Sequence, residues 1–203
     1  MDVGCGDGSL LRDIAVRHPR HGQLAGVDIA QEAVAIAQQR VPGAELRICD
    51  TSQEKLPFHQ KFDLVTSSEV LEHVEDYRAV VARMADALKP GGHLVVSVPH
   101  SMGKWTQHDD AVLHLRRFES KQLADSLQGA GLKVVSHFTW GTFFYEIYYA
   151  FLLQKVKPAT TWRAKSGLMQ AAHSLLYTVF ILDDLFINMG TGRMLFMLAS
   201  RPR

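Results

Sequence analysis

Three glycines at alternate positions, Gly4, Gly6 and Gly8 in Met1-Asp2-Val3-Gly4-Cys5-Gly6-Asp7-Gly8, lead straight into a helical pattern opening at Ser9-Leu10-Leu11. Strand, tight glycine turn and helix N-terminus in that order make a backbone that a ligand can approach closely. The free N–H groups of such a loop and of the helix start form a small polar socket. About 20 residues on, where nucleotide-binding α/β units carry a ribose-binding acid, Val27-Asp28-Ile29 ends a second apolar run with a carboxylate. The spacing is Gly-x-Gly-x-Gly, since Ser9 stands where a dinucleotide fingerprint has its last glycine. Asp7 inside the loop suits a cationic ligand without phosphates and disfavours a nicotinamide cofactor. Asp28 itself reads as a strand-end acid whose loss costs the fold little.

Three further motifs follow in order. Asp50-Thr51 precedes Leu56-Pro57-Phe58; Phe62-Asp63-Leu64-Val65 runs on to Ser67 and to Glu69-Val70-Leu71-Glu72-His73-Val74; Leu88-Lys89-Pro90-Gly91-Gly92 announces a fifth strand. Together with Asp2-Val3-Gly4-Cys5-Gly6-Asp7-Gly8, they make residues 1 to about 135 resemble the class I S-adenosylmethionine-dependent methyltransferases of type 11, the group of the ubiquinone- and menaquinone-biosynthesis enzymes. The resemblance implies S-adenosyl-L-methionine as cofactor. It implies that Gly4, Cys5, Gly6 and Gly8 approach its amino-acid part, that Asp2 holds its amino group, and that Asp28 accepts both ribose hydroxyls. Ile29 is then the adenine platform, Asp50 and Thr51 meet the adenine edge, and a Ser67 carbonyl faces the methionine end. Asp28 as a plain strand cap, and Asp50 as a plain turn acid, stay open as alternatives.

Methyl transfer needs a base only where the acceptor keeps its proton. His73, after the fourth strand, is the leading candidate, and His100, after the fifth, is the second; either can equally be a packed, hydrogen-bonded histidine. His108 and His114 sit among Gln107-His108-Asp109-Asp110 and read as a solvated loop rather than a metal site, so no metal is expected. The activity implied is methylation of a small-molecule or lipid-like acceptor at oxygen, nitrogen or carbon. A methyltransferase-fold protein that binds without catalysis is the alternative.

Positioning these residues requires alternating strands and helices, hence a Rossmann-like α/β fold with a doubly wound, mostly parallel sheet of about seven strands. Strands are expected near 24–27, 45–49, 62–67, 93–98, 133–138 and 194–200, with helices near 10–18, 31–40, 77–88 and 120–130. Asp76 is the expected cap of the third helix. The domain reads as one unit over 1–203, with a core of about 1–140 and 190–203. An apolar helical segment, about 141–189, is inserted before the last strand as a cap beside the crevice or as a cover for the sheet. The resembling family carries a longer apolar run before its first glycine, so the N-terminus reads as truncated.

The 203 residues have a net charge of +1, with 47% hydrophobic and 21% charged residues, as a globular protein should. Residues 1–150 hold 15 basic and 19 acidic residues, whereas 151–203 hold 7 and 2. The basic tail is too aromatic and too sparse in Lys and Arg clusters for nucleic acid. Cys5 and Cys49 lack metal-like spacing and read as reduced, buried residues of a cytoplasmic protein. No apolar run reaches the ~20 residues of a membrane span.

Phe143 to Leu153 is apolar nearly all round with Glu146 interrupting, and Lys155, Lys157, Arg163 and Lys165 follow. Such a helix lines an acceptor pocket, dips into an anionic membrane surface as a peripheral contact through 143–165, or forms a homodimer interface. The membrane reading predicts co-sedimentation with phosphatidylserine or phosphatidylglycerol vesicles that weakens with salt and in Lys155→Glu/Lys157→Glu. Equal recovery in the supernatant with and without anionic lipid rejects it.

Overall fold

A computed structural model describes residues 1–20, 22–151 and 181–203. Its strands are β1 (Asp2–Val3), β2 (Ala25–Asp28), β3 (Glu45–Ile48), β4 (Phe62–Ser68), β5 (Leu88–Pro99), β6 (Lys133–Trp140) and β7 (Met194–Ser200). They form one sheet in the order β3-β2-β1-β4-β5-β7-β6. β1 to β5 pair in parallel, and β7 runs antiparallel to both β5 and β6. The helices are α1 (Ser9–Arg17), α2 (Gln31–Arg40), α3 (Tyr77–Ala87), α4 (Gln107–Ala111), α5 (Ser120–Gly129) and α6 (Phe144–Phe151). The expected Rossmann-like α/β fold is therefore present, with β3 at one edge of the sheet.

Parallel strands buried on both faces demand apolar side chains throughout. Val3, Ala25, Val27, Val65, Leu94 and Val96 accordingly have no exposed surface. One core cluster packs α3 and α5 against β4, β5 and β7 through Val80, Val81, Met84, Leu123 and Leu127. A second joins α1 and α2 to β3 and to Leu24, just before β2, through Leu11, Val34, Ala37, Val41 and Leu46. Asp76 caps α3 as expected, its carboxylate accepting the Ala79 N–H at 3.1 Å.

Two local differences have physical causes. Lys89-Pro90-Gly91-Gly92 belongs to β5 rather than to a turn before it, because Leu88 already pairs with Phe62 and the register shifts before His93 meets Leu64. β6 reaches Trp140, beyond the expected Phe138, because β7 pairs with it along its whole length. In the inserted segment, α6 is helical as expected, whereas Leu182–Met189 is a 3-10 turn. Asp183, with no exposed surface, accepts the N–H groups of Phe143, Phe144 and Tyr145 at 2.7–2.9 Å and so starts α6. The rest of the insertion, with its four cations, lies outside the described residues. Among the described residues no helix is long and apolar enough to cross a membrane.

Gly8 is the tightest joint between the first two helices. Its φ is +77°, and a Cβ there meets the Ala37 Cβ at 2.9 Å and the Ala37 Cα at 3.1 Å. Gly8→Ala must strain the backbone and push α1 off α2. The expected cost is about 2 kcal/mol, seen as a melting temperature lower by about 4–8 °C. An unchanged melt excludes this packing.

Candidate functional site

The glycine loop is tied to β2. Gly4 and Cys5 N–H both donate to the Val27 carbonyl, at 2.8 and 2.9 Å, and Gly6 N–H donates to Asp28 Oδ2 at 2.8 Å. Asp28 Oδ1 accepts from Ala30 N–H at 2.9 Å. Asp28 is thus no idle strand-end acid: it holds the loop to the start of α2, and each oxygen still has a lone pair directed elsewhere. Gly4, at φ +75°, cannot carry a side chain, since a Cβ would lie 2.2 Å from Val70 Cγ2. Asp7 does not do what the sequence suggested. It turns to Ser9 and forms an ion pair with Arg40 of α2, so its charge is neutralised outside the crevice.

Above the carboxyl ends of β1 to β4 lies a crevice of about 590 Å³, a size suited to a cofactor. Gly4, Asp28, Ile29, Asp50, Thr51 and His73 line it, so six of the residues singled out from sequence converge there. Ile29 is 66% exposed, an aliphatic platform between two acids. Asp50 Oδ1 accepts from Ser52 N–H at 2.9 Å, and the Ser52 bonds hold its carboxyl below the usual carboxylate range. Thr51 supplies its carbonyl to Arg83 of α3.

The other expected contacts lie deeper. Asp2 is buried beneath the loop, where its Oδ1 accepts from Thr66 Oγ1 at 2.7 Å. Burial raises its carboxyl to about 6 against the opposing Thr66 hydrogen bond. Cys5 is a free thiol packed beside Gly26, pushed up to about 12 by burial; Cys49 is also free and buried. Ser67 sits inside the ladder between Val3 and Val96, 2% exposed, and does not line the crevice. Gly6 and Gly8 shape the loop from behind. His100 also lies away from the crevice: it is 7% exposed, with Nδ1 against the Gly192 carbonyl at 2.9 Å and its own carbonyl bonded by Arg117. Of the two histidines singled out as bases, His73 lines the crevice and His100 does not.

The far wall was not foreseen. The 3-10 turn Leu71–His73 follows Glu69, whose φ is +54°. Glu69 opens onto the crevice, yet the protein crowding its other sides raises its carboxyl, with Arg117 opposing. Glu72 has no exposed surface and no hydrogen-bond partner on either oxygen. Burial first, and the charge of Glu69 second, push it well above the usual carboxylate range. Against this turn packs the segment after α4. Leu115 N–H donates to the Glu72 carbonyl at 2.8 Å, Arg116 binds the Val74 carbonyl, and the His73 and His114 rings meet edge to face at 4.8 Å.

His114 is not in a solvated loop, contrary to the sequence reading. Its Nδ1 meets Asp109 Oδ1 at 2.8 Å, and its side chain is only 9% exposed. Burial lowers its pKa, against the opposing Asp109 bond. Asp109 is fully buried, receives Arg117 on both oxygens at 2.9 and 3.1 Å, and closes a capping box with Thr106. Burial would raise Asp109, but the Arg117 and His114 bonds outweigh it and leave the carboxyl lowered. The signal for this network was the Glu69-x-x-Glu72-His73 spacing, which the sequence reading had noted only as a motif.

Comparison with known proteins agrees with the geometry. Residues 1–137 match the family described as a methyltransferase domain. The ubiquinone biosynthesis O-methyltransferase of Idiomarina loihiensis is 39% identical over 101 residues, 48% of this chain and 40% of that protein. Its counterpart from Marinobacter nauticus is 32% identical over 153 residues, 66% of this chain and 63% of that protein. The chain thus spans less than two thirds of the length of these relatives. In fold it is similar to phosphoethanolamine N-methyltransferase 2 of Haemonchus contortus in complex with S-adenosyl-L-methionine. That likeness has a TM-score of 0.68 and 22% identity over all of this chain and 48% of the other. From the glycine loop, the strand order and the family match, the chain belongs to the class I S-adenosylmethionine-dependent methyltransferases, with distant similarity to the ubiquinone biosynthesis O-methyltransferases.

Proposed function

We propose that this chain binds S-adenosyl-L-methionine in the crevice above β1 to β4 and moves its methyl group to a small-molecule acceptor. One observation carries the reading. Among the described residues lining the crevice are five carboxylates, Asp28, Asp50, Glu69, Glu75 and Asp76, and no Lys or Arg. Such a site repels phosphates and attracts a cation, and this cofactor carries a sulfonium and an ammonium. It supplies a methyl group bound to a good leaving group.

The chain's own residues then bind and orient. Asp28 offers its remaining lone pairs to two hydroxyls, Ile29 offers an apolar face to a flat ring, and Asp50 offers its second oxygen to an amino donor. Asp2, beneath the glycine loop, provides negative charge for an ammonium. His73 is the imidazole lining the crevice among the described residues, placed to meet an acceptor's proton where one must leave. The activity for which the relatives are named, O-methylation in ubiquinone biosynthesis, favours an oxygen acceptor of lipid-like character. The aromatic α6 fits that class, although no described residue of α6 lines the crevice.

Calorimetry with S-adenosylhomocysteine tests the cofactor reading. The chain binds it, and Asp28→Asn weakens binding at least tenfold, since charge-assisted hydrogen bonds are worth ~1.5–3 kcal/mol each. Asp28→Ala also melts lower, because the Gly6 and Ala30 N–H groups lose their acceptor. Unchanged affinity in both removes Asp28 from the site.

The pH dependence follows from Asp2. Its carboxyl titrates near 6 in the folded protein, and only the ionised form attracts an ammonium. Affinity for S-adenosylhomocysteine therefore falls about tenfold from pH 7.5 to pH 5. Asp2→Asn binds weakly and flattens this profile, whereas an equal slope in wild type and Asp2→Asn assigns the titration to another group.

A further inference from the structure

Glu72, His73 and His114 each present one ligand atom, and the three atoms lie within 4.8 Å of one another. Two of the three sit on one turn, Leu71–His73, and the third is delivered by the segment after α4. We propose that they form a divalent-cation site in the wall of the crevice.

Three independent features of the geometry support it. The first is Glu72. Its side chain has no exposed surface and neither oxygen has a hydrogen-bond partner, while His114 Nε2 stands 3.9 Å from Oε1. A buried carboxylate is ordinarily paired or metal-bound, and this one is aimed at an imidazole nitrogen without reaching it. The second is His114. Its Nδ1 meets Asp109 Oδ1, which makes Nδ1 the donor and leaves Nε2 as a lone pair directed at Glu72. Metal-ligating histidines are commonly held by such a carboxylate, which fixes the tautomer and strengthens the donor. Asp109 is itself anchored by Arg117 and Thr106, so the pair is rigid. The third is the backbone. Leu113, at φ +62°, and Glu69, at φ +54°, are both in the left-handed region on either side of the cluster. Strain of that kind is retained where the surroundings fix a functional geometry.

The donors select the metal. Two imidazole nitrogens and one carboxylate suit a first-row transition cation such as Zn²⁺ or Mn²⁺ better than Mg²⁺ or Ca²⁺. Bonds of about 2.0–2.1 Å bring donors to about 3.4 Å apart in a tetrahedral site, so the cluster must close by roughly an ångström. His73, exposed at the crevice rim, is the member free to move. With three protein ligands, the remaining positions are left for water or an acceptor oxygen. Where the proposed methyl transfer operates, His73 then commits a nitrogen to the cation, and the cation takes over lowering the acceptor's proton affinity. The metal site itself does not depend on that reading.

The test uses the full chain without S-adenosylmethionine. The protein is stripped with chelator, titrated with Zn²⁺ or Mn²⁺, and assayed for bound metal by elemental analysis and for thermal shift. The expected result is about one equivalent bound, with a melting temperature that rises with metal concentration. Glu72→Gln and His114→Ala each weaken uptake by about tenfold or more and lose the thermal shift. If either variant loses its native circular dichroism, His73→Ala, altered only at the exposed rim, decides by the same drop. Wild-type protein that takes up neither metal, or takes it up as tightly as the folded variants, overturns the site. Calorimetry with S-adenosylhomocysteine on the stripped protein reports separately on the cofactor crevice, so failure of one reading is distinguished from failure of the other.

Discussion

The parallel pairing of the two-residue strand β1 with β2 on one side and β4 on the other sets every other feature of the site. Val3 stands opposite Val27 and Ser67 at once. One step beyond that level the chain leaves the sheet as the glycine loop, and nearby as Asp28 and the Glu69 turn. Parallel strands release their carboxyl-end loops on a common edge, and at the switch in strand order those loops diverge and leave a crevice. Both neighbours of β1 are themselves paired outward, β2 to β3 and β4 to β5. Gly4 then presses on Val70, which transmits the position of β1 to the turn carrying Glu72 and His73.

The second constraint is buried charge. Asp109 and Arg117 are 0% and 4% exposed and bonded twice. Removing one partner of such a pair strands the other, at about 3–5 kcal/mol, so the segment 109–117 has few alternatives. It carries His114 to Glu72 and lays Leu115 and Arg116 along the 72–74 backbone. The network therefore connects the end of β5 to the crevice wall without touching the crevice itself. His100 belongs to this scaffold too, through its carbonyl on Arg117 and its ring on Gly192.

Much of the fold was legible because it is written locally. The glycine spacing, the Asp28 and Asp50 strand ends, the Asp76 cap and the apolar runs of β2, β4 and β5 all lie in short segments, and their burial repeats a simple pattern. What escaped the sequence depends on distant partners. Asp7 reads as a crevice acid until Arg40, on another helix, is placed beside it. His114 reads as a loop residue because Asp109, Glu72 and His73 reach it only through the tertiary fold. Ser67 lies within β4, enclosed by β1 and β5, and His100 follows β5 but is held by Gly192 and Arg117. The β5 bulge, which drew Lys89-Pro90-Gly91-Gly92 into the strand, likewise depends on Phe62 across the sheet.

The acids of the crevice take their hydrogen bonds from neutral donors. Asp28 takes the N–H groups of Gly6 and Ala30, Asp50 takes that of Ser52, and Asp76 takes that of Ala79. Backbone N–H donors add no positive charge of their own to the crevice. The field at the crevice therefore stays negative, whereas Asp7, paired with Arg40, contributes almost none of it. Glu69 and Glu72 are the exceptions: burial raises both. Asp28 and Asp50 stand at one end of the crevice, and Glu69, with the unpartnered Glu72 behind it, stands at the His73 end. The two ends are separate, since Asp28 and Asp50 rise from β2 and β3 while Glu69 and Glu72 follow β4. On the two proposals made above, a cationic cofactor and a metal ion would take distinct places in one crevice.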